Sequence, residues 1–173
     1  MTLTRRDTLA FFVVSATVAA TAGNPASAAG TVIKVSLWDK GEMSMDMLGK
    51  GKPMGMGMMG AGMGMKMAML GITLDRDTVP AGEVTFDVIN DSQSMIHEMV
   101  VSPVADPSVP LPYVADEEKV DEDAAGHLGE VAELDPGKSG ALTVTLQPGS
   151  YILYCNIPGH YTLGMWSLLT VTA

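Results

Sequence analysis

This 173-residue chain has one cysteine, three histidines, 5% aromatic residues, and 10 Lys or Arg against 20 Asp or Glu. A single cysteine rules out a disulfide within the chain, so Cys155 is either a buried thiol or a thiol held by a ligand. The formal charge of -10 argues against nucleic acid or an anionic membrane surface as a partner, since both are recognised through an excess of cations. Long apolar runs are scarce as well. The run from Leu9 to Ala20 is shorter than the roughly 20 residues a helix needs to cross a bilayer. It follows Arg5 and Arg6 and precedes the small residues Ala26-Ser27-Ala28, the order of an export signal cleaved near Ala28. The arginine pair ahead of Leu9 and Phe11 is similar to the twin-arginine type.

Residues 29–173 are expected to form one domain, with enough chain for one hydrophobic core and too little for two ordinary ones. Losing residues 1–28 removes Arg5, Arg6 and Asp7, which takes the formal charge from -10 to -11. Period-two patterning dominates what remains. In TVIKVSLWD (31–39), Ile33, Val35 and Leu37 alternate with Lys34 and Ser36. Val84, Phe86 and Val88 alternate with Thr85 and Asp87, and Leu142, Val144 and Leu146 share a face. Strands are also expected at 130–134 and 166–172, with turns at Pro80-Ala81-Gly82, DPGKSG and Pro148-Gly149. Such a series predicts an all-β Greek-key sandwich or small barrel and excludes a helical bundle. The stretch from Ser102 to Gly129 carries little strand pattern and is expected to be a long crossover, with a short helix around residues 116–125.

Eleven of the 15 methionines fall in residues 40–71, among many glycines that oppose helix. In an extended conformation Met43, Met45 and Met47 share one face, as do Met63, Met65, Met67 and Met69. Such thioether rows either pack adaptably over an apolar surface or bind the soft ion Cu(I).

The chemistry concentrates in YCNIPGHYTLGMW (154–166). Cys155, His160 and Met165 are spaced C-x4-H-x4-M, with turn formers between them that can fold one loop around a point. His97 follows a loop at the end of another strand and is the candidate for a second nitrogen. Two imidazoles, a thiolate and a weak distant thioether are the donor set of an electron-transfer copper site. Any one of these residues alone would be ordinary core or surface; together they point to copper. His127 is expected on the surface, and Trp38 and Trp166 in the core or at its boundary.

With these residues in view, the chain resembles the cupredoxin family, the type 1 or blue copper proteins of the plastocyanin/azurin kind. The family signature of an upstream histidine, then a Cys-His-Met loop and a last strand, stands here as His97, Cys155, His160 and Met165. The resemblance covers residues 72–173 and extends to 31–39. It implies a Greek-key sandwich of the eight-strand type, one copper, Cys155 as the covalent electronic route inward and His160 near the surface as an electron exit. Where the family often has Asn or Ser after the upstream histidine, this chain has Glu98. An exported, periplasmic carrier passing single electrons between redox partner proteins is the first expectation, as a monomer with no membrane span. The alternative is a periplasmic copper tolerance or delivery protein whose methionine segment handles Cu(I). Independent enzyme activity is not expected, because a catalytic copper centre needs additional histidines and this chain has only His127 beyond His97 and His160. The acidic run DEEKVDED (116–123) is solubilising surface or steers a basic partner.

Overall fold

A computed structural model describes residues 30–41 and 69–173. The export signal expected at 1–28 and nearly all of the methionine-rich stretch lie outside the described residues. The elements run β1 (Thr31–Asp39), β2 (Leu70–Leu74), β3 (Thr78–Pro80), β4 (Gly82–Asn90), β5 (His97–Val104), β6 (Tyr113–Val114), β7 (Lys119–Val120), α1 (Glu122–Ala125), β8 (Gly129–Leu134), β9 (Ser139–Leu146), β10 (Gly149–Tyr154) and β11 (Trp166–Thr172). One sheet has the order β2-β1-β4-β9, another β3-β11-β10-β5-β8, and β6 and β7 pair alone. The fold is predominantly β, as the patterning predicted. The barrel alternative is not realised: each large sheet is open, ending at β2 and β9 or at β3 and β8.

Alternation decides which residues face inward. Ile33, Val35 and Leu37 of β1 and Val84, Phe86 and Val88 of β4 are buried, and they join Met99, Val101, Leu153, Leu169 and Val171 of the other sheet in a single core. A core filled from both sheets is sensitive to lost volume. Phe86, fully buried, is the kind of side chain whose truncation to alanine costs about 3–5 kcal/mol.

The five-stranded sheet is covered on its other face too. Val100, Ile152 and Tyr154 pack there against Leu111, Val120, Ala125 and Tyr161. The crossover is therefore a second layer, and it explains why β10 is buried at four successive positions, Tyr151 to Tyr154. The helix expected around 116–125 is shorter than predicted. Lys119 and Val120 pair instead with Tyr113 and Val114, and only Glu122–Ala125 is helical. Asp121 caps it by accepting from Ala124 N–H, and Gly126 ends it in the left-handed region at φ 65°.

Candidate metal centre

Chain direction brings the donor residues to one end of the molecule. β5 and β10 are antiparallel, with Tyr154 opposite Val100, so the start of β5 at His97 lies beside the finish of β10 and Cys155. The β5–β8 pairing shifts register between His97 and Met99, an irregularity of the kind that re-aims a side chain. β10 and β11 form the next antiparallel pair, and their ladder continues past Tyr154–Trp166 through Cys155 N–H to Met165 C=O at 3.0 Å. The intervening loop closes on itself: Met165 N–H reaches His160 C=O at 3.0 Å, and His160 N–H reaches Ile157 C=O at 2.9 Å. Gly159 and Gly164 turn the loop at φ 82° and 97°, a region that side chains with a Cβ rarely occupy.

The result is a cluster of three donors with no exposed member. His97 Nδ1 lies 3.2 Å from His160 Nδ1 and 3.9 Å from Cys155 Sγ, and His160 Nδ1 lies 3.3 Å from Cys155 Sγ. His97 and Cys155 are fully buried and His160 is 2% exposed, less than the near-surface position implied by the resemblance; the exposed residue of its turn is Pro158. Met165 is fully buried in the same loop. Of the methionine row, Met69 alone is described: it is half-buried, and its carbonyl accepts from Lys40 N–H at 2.8 Å. Met43, Met45, Met47, Met63, Met65 and Met67 lie outside the described residues. His127 is exposed and Trp38 and Trp166 are half-buried, as expected.

Burial sets the protonation states. It pushes the Cys155 thiol up to about 12, against N–H bonds from Glu98 and Ile157 that pull it down. It draws His160 down to about 4, assisted by His97 and opposed by Asp39. His97 is also lowered by burial, with the Asp39 carboxylate opposing. Both imidazoles are thus neutral at pH 7, and their Nδ1 atoms face each other and the sulfur. Two ring nitrogens and one sulfur converging on a buried point fit a borderline or soft metal ion and no organic group of any size. Glu98, beside the cluster, is raised by burial to about 7; Lys119 opposes this and Glu130, Glu122 and Glu133 add to it.

Several supporting residues carried no signal in the sequence. Asp39 ends β1, and β1 runs parallel to β4 with Leu37 opposite Asn90, so Asp39 arrives at the same edge as the loop leading to His97. Its Oδ2 accepts from His97 Nε2 at 2.9 Å. Burial would raise this carboxyl, but hydrogen bonds from Ser92, His97 and Gly41 hold it below the usual carboxylate range. Asn90 braces the loop, donating from Nδ2 to Met95 C=O (2.9 Å) and Leu134 C=O (2.7 Å) and accepting at Oδ1 from Ser92 N–H (3.0 Å). The residue after His97 contributes its backbone: Glu98 N–H points at Cys155 Sγ from 3.5 Å. On the other side Asn156 accepts from Val120 N–H at 2.6 Å and donates to Val120 C=O at 3.1 Å and Glu122 Oε1 at 2.7 Å, which fastens the crossover to the loop.

Comparison with known proteins agrees with this geometry. The sequence profile of copper binding proteins of the plastocyanin/azurin family matches residues 58–172. Auracyanin-B of Chloroflexus aurantiacus is 45% identical over 51 residues, a stretch covering 29% of this chain and 22% of that protein; the match thus spans about a fifth of the relative's length. Among solved structures, auracyanin from Roseiflexus castenholzii is 24% identical, with 58% of this chain and 88% of that one covered and a TM-score of 0.43. Rusticyanin from Thiobacillus ferrooxidans is 17% identical, with 83% and 79% covered and a TM-score of 0.52, a likeness of fold. A β fold built on two large sheets, a buried His-Cys-His cluster with a methionine in the same loop, and a profile match over most of the chain lead to one assignment: this protein is a cupredoxin, a member of the plastocyanin/azurin family of copper binding proteins.

Proposed function

We propose that the chain is an electron carrier that holds one copper ion through His97 Nδ1, His160 Nδ1 and Cys155 Sγ, with Met165 as a weaker fourth donor. The observation that carries the reading is the convergence of the three donor atoms within 4.8 Å of one another at wholly buried positions. When bound, copper supplies a one-electron Cu(II)/Cu(I) couple. The chain's own part is to keep the donors fixed and dry. His97 stands at a strand end braced by Asn90, and Cys155 and Met165 are tied by the first backbone bond beyond the β10–β11 ladder. Such a frame resists rearrangement between oxidation states. Every donor is buried, which leaves little room for a substrate at the ion and favours a carrier over an enzyme.

The strand order is read as the Greek-key sandwich of the cupredoxins, a single domain spanning residues 29–173 with a methionine- and glycine-rich insertion at 40–71. Residues 1–28 are read as an export signal, which makes the protein periplasmic; it is further read as a monomer that accepts electrons from one redox partner protein and passes them to another. Among the described residues no helix is long and apolar enough to cross a membrane. The test is the visible spectrum and copper content of the loaded chain. The parent is expected to bind one tightly held copper with an intense thiolate-to-copper band and to cycle reversibly by one electron; Cys155→Ser is expected to lose the band. A parent with no such band would remove the reading.

A second reading, copper delivery through Cu(I) sites at Met43, Met45, Met47, Met63, Met65, Met67 and Met69, draws support from where the insertion is anchored. Asp39 pairs with Leu70, so the insertion leaves and rejoins the sheet beside the residue that touches His97. Anaerobic Cu(I) titration of the triple variant Met43→Ala, Met45→Ala, Met47→Ala decides for the first of these rows. The carrier reading predicts the same number of bound ions as in the parent, and delivery predicts fewer.

A further inference from the structure

Asp39 offers the one carboxylate hydrogen-bonded to a donor side chain of the cluster among the described residues. Its Oδ2 stands 2.9 Å from His97 Nε2, and the two side chains are 1% and 0% exposed. The carboxylate is itself fixed, since Oδ1 accepts from Gly41 N–H at 2.6 Å and the Ser92 hydroxyl also donates to it. Ser92 is in turn held by N–H bonds to its oxygen from Ser94 (3.1 Å) and Met95 (2.8 Å), in the loop that leads to His97. A neutral imidazole carries one proton, and a carboxylate at Nε2 accepts that proton and cannot donate one. The lone pair is thereby assigned to Nδ1, the atom that faces Cys155 and His160.

An anion bonded to the far nitrogen also makes the imidazole a stronger donor. In a site sealed from water its charge is poorly screened, so it stabilises the more positive of two metal oxidation states. We infer that Asp39 is a positioning and tuning residue: it locks His97 as an Nδ1 donor and, as a buried anion against that ligand, favours Cu(II) over Cu(I) and so lowers the reduction potential. The inference rests on the copper reading above.

The experiment compares the copper-loaded full-length parent with Asp39→Asn, which keeps the size and an acceptor oxygen but drops the charge. The thiolate band should survive in the variant, and its midpoint potential should rise by at least the equivalent of a tenfold change in the Cu(I):Cu(II) affinity ratio, about 59 mV for one electron. A purely structural role would speed copper loss and leave the potential of the loaded fraction where it was; that result, or a fall in potential, overturns the inference. Should the variant fail to fold, the parent still answers. In its diamagnetic Cu(I) form, nitrogen-proton NMR should find a slowly exchanging proton on His97 Nε2, and a proton on Nδ1 or none at Nε2 refutes the assignment. A parent without the thiolate band would take down the copper reading itself, whereas a parent with the band and an unmoved Asp39→Asn potential would take down only the role of Asp39.

Discussion

Cys155 is the residue whose state must change most for the proposed chemistry. In the metal-free chain its thiol is pushed up to about 12, so it is protonated at any physiological pH, while His160, drawn down to about 4, is already neutral. A thiolate ligand requires the thiol proton to leave, and neutral imidazoles lose nothing on binding. At pH 8.5 Glu98, raised to about 7, is ionised in the metal-free protein and does not contribute either. Calorimetric titration with Cu(I) at pH 8.5, repeated in buffers of different ionisation enthalpy, should therefore show about one proton released per ion. Release near zero would mean that the sulfur is not the ligand, and release near two would mean that an imidazole enters protonated. The same values set the acid limit of the metal-free fold. Burial holds His160 below its usual value, so the unfolded state takes up its proton first, and this contribution to stability, complete above about pH 6.5, is lost as pH falls toward 4.

The β10–β11 connection and the crossover act as a unit. Tyr161, next to His160, accepts from Leu111 N–H at 3.0 Å, Gly159 N–H reaches Glu118 C=O at 2.8 Å, and Asn156 holds both backbone groups of Val120. These contacts link the loop to the layer that covers the outer face of the five-stranded sheet. Removing the Asn156 amide leaves the Val120 N–H and C=O buried and without that partner, a loss of about 1–3 kcal/mol. Asn156→Ala is expected to lower the denaturation midpoint accordingly and to hasten transfer of copper to a chelator; unchanged stability with unchanged transfer would show that the crossover does not brace the site. Little of this was legible beforehand. Strands with one wet face, such as β1 and β4, announce themselves by alternation. β10 is covered on both sides and reads only as an apolar run, and β6 and β7 are two residues each, below the length at which a period can be seen.

Taken whole, the molecule gathers its chemistry at one end because antiparallel and parallel pairings both deliver strand termini there. That is why Cys155, His160 and Met165, which share one hairpin, could be proposed from spacing alone, and why His97 needed a fold hypothesis. Asp39 was out of reach for the same reason: 58 residues separate it from His97, and an aspartate at a strand end is common enough to carry no message. Glu98 was noted as a departure from the family pattern, and the structure shows that its backbone N–H, rather than its side chain, is what meets the sulfur. Among the described residues, the charged side chain hydrogen-bonded to a donor is Asp39, while Lys119 acts on Cys155 through its charge. X-ray absorption at the copper edge of the Cu(II)-loaded full-length protein looks straight at the ion's neighbours. One short copper–sulfur contact with two copper–nitrogen contacts is the predicted first shell, and a shell of nitrogen and oxygen alone would contradict the assignment of Cys155 and the carrier function built on it.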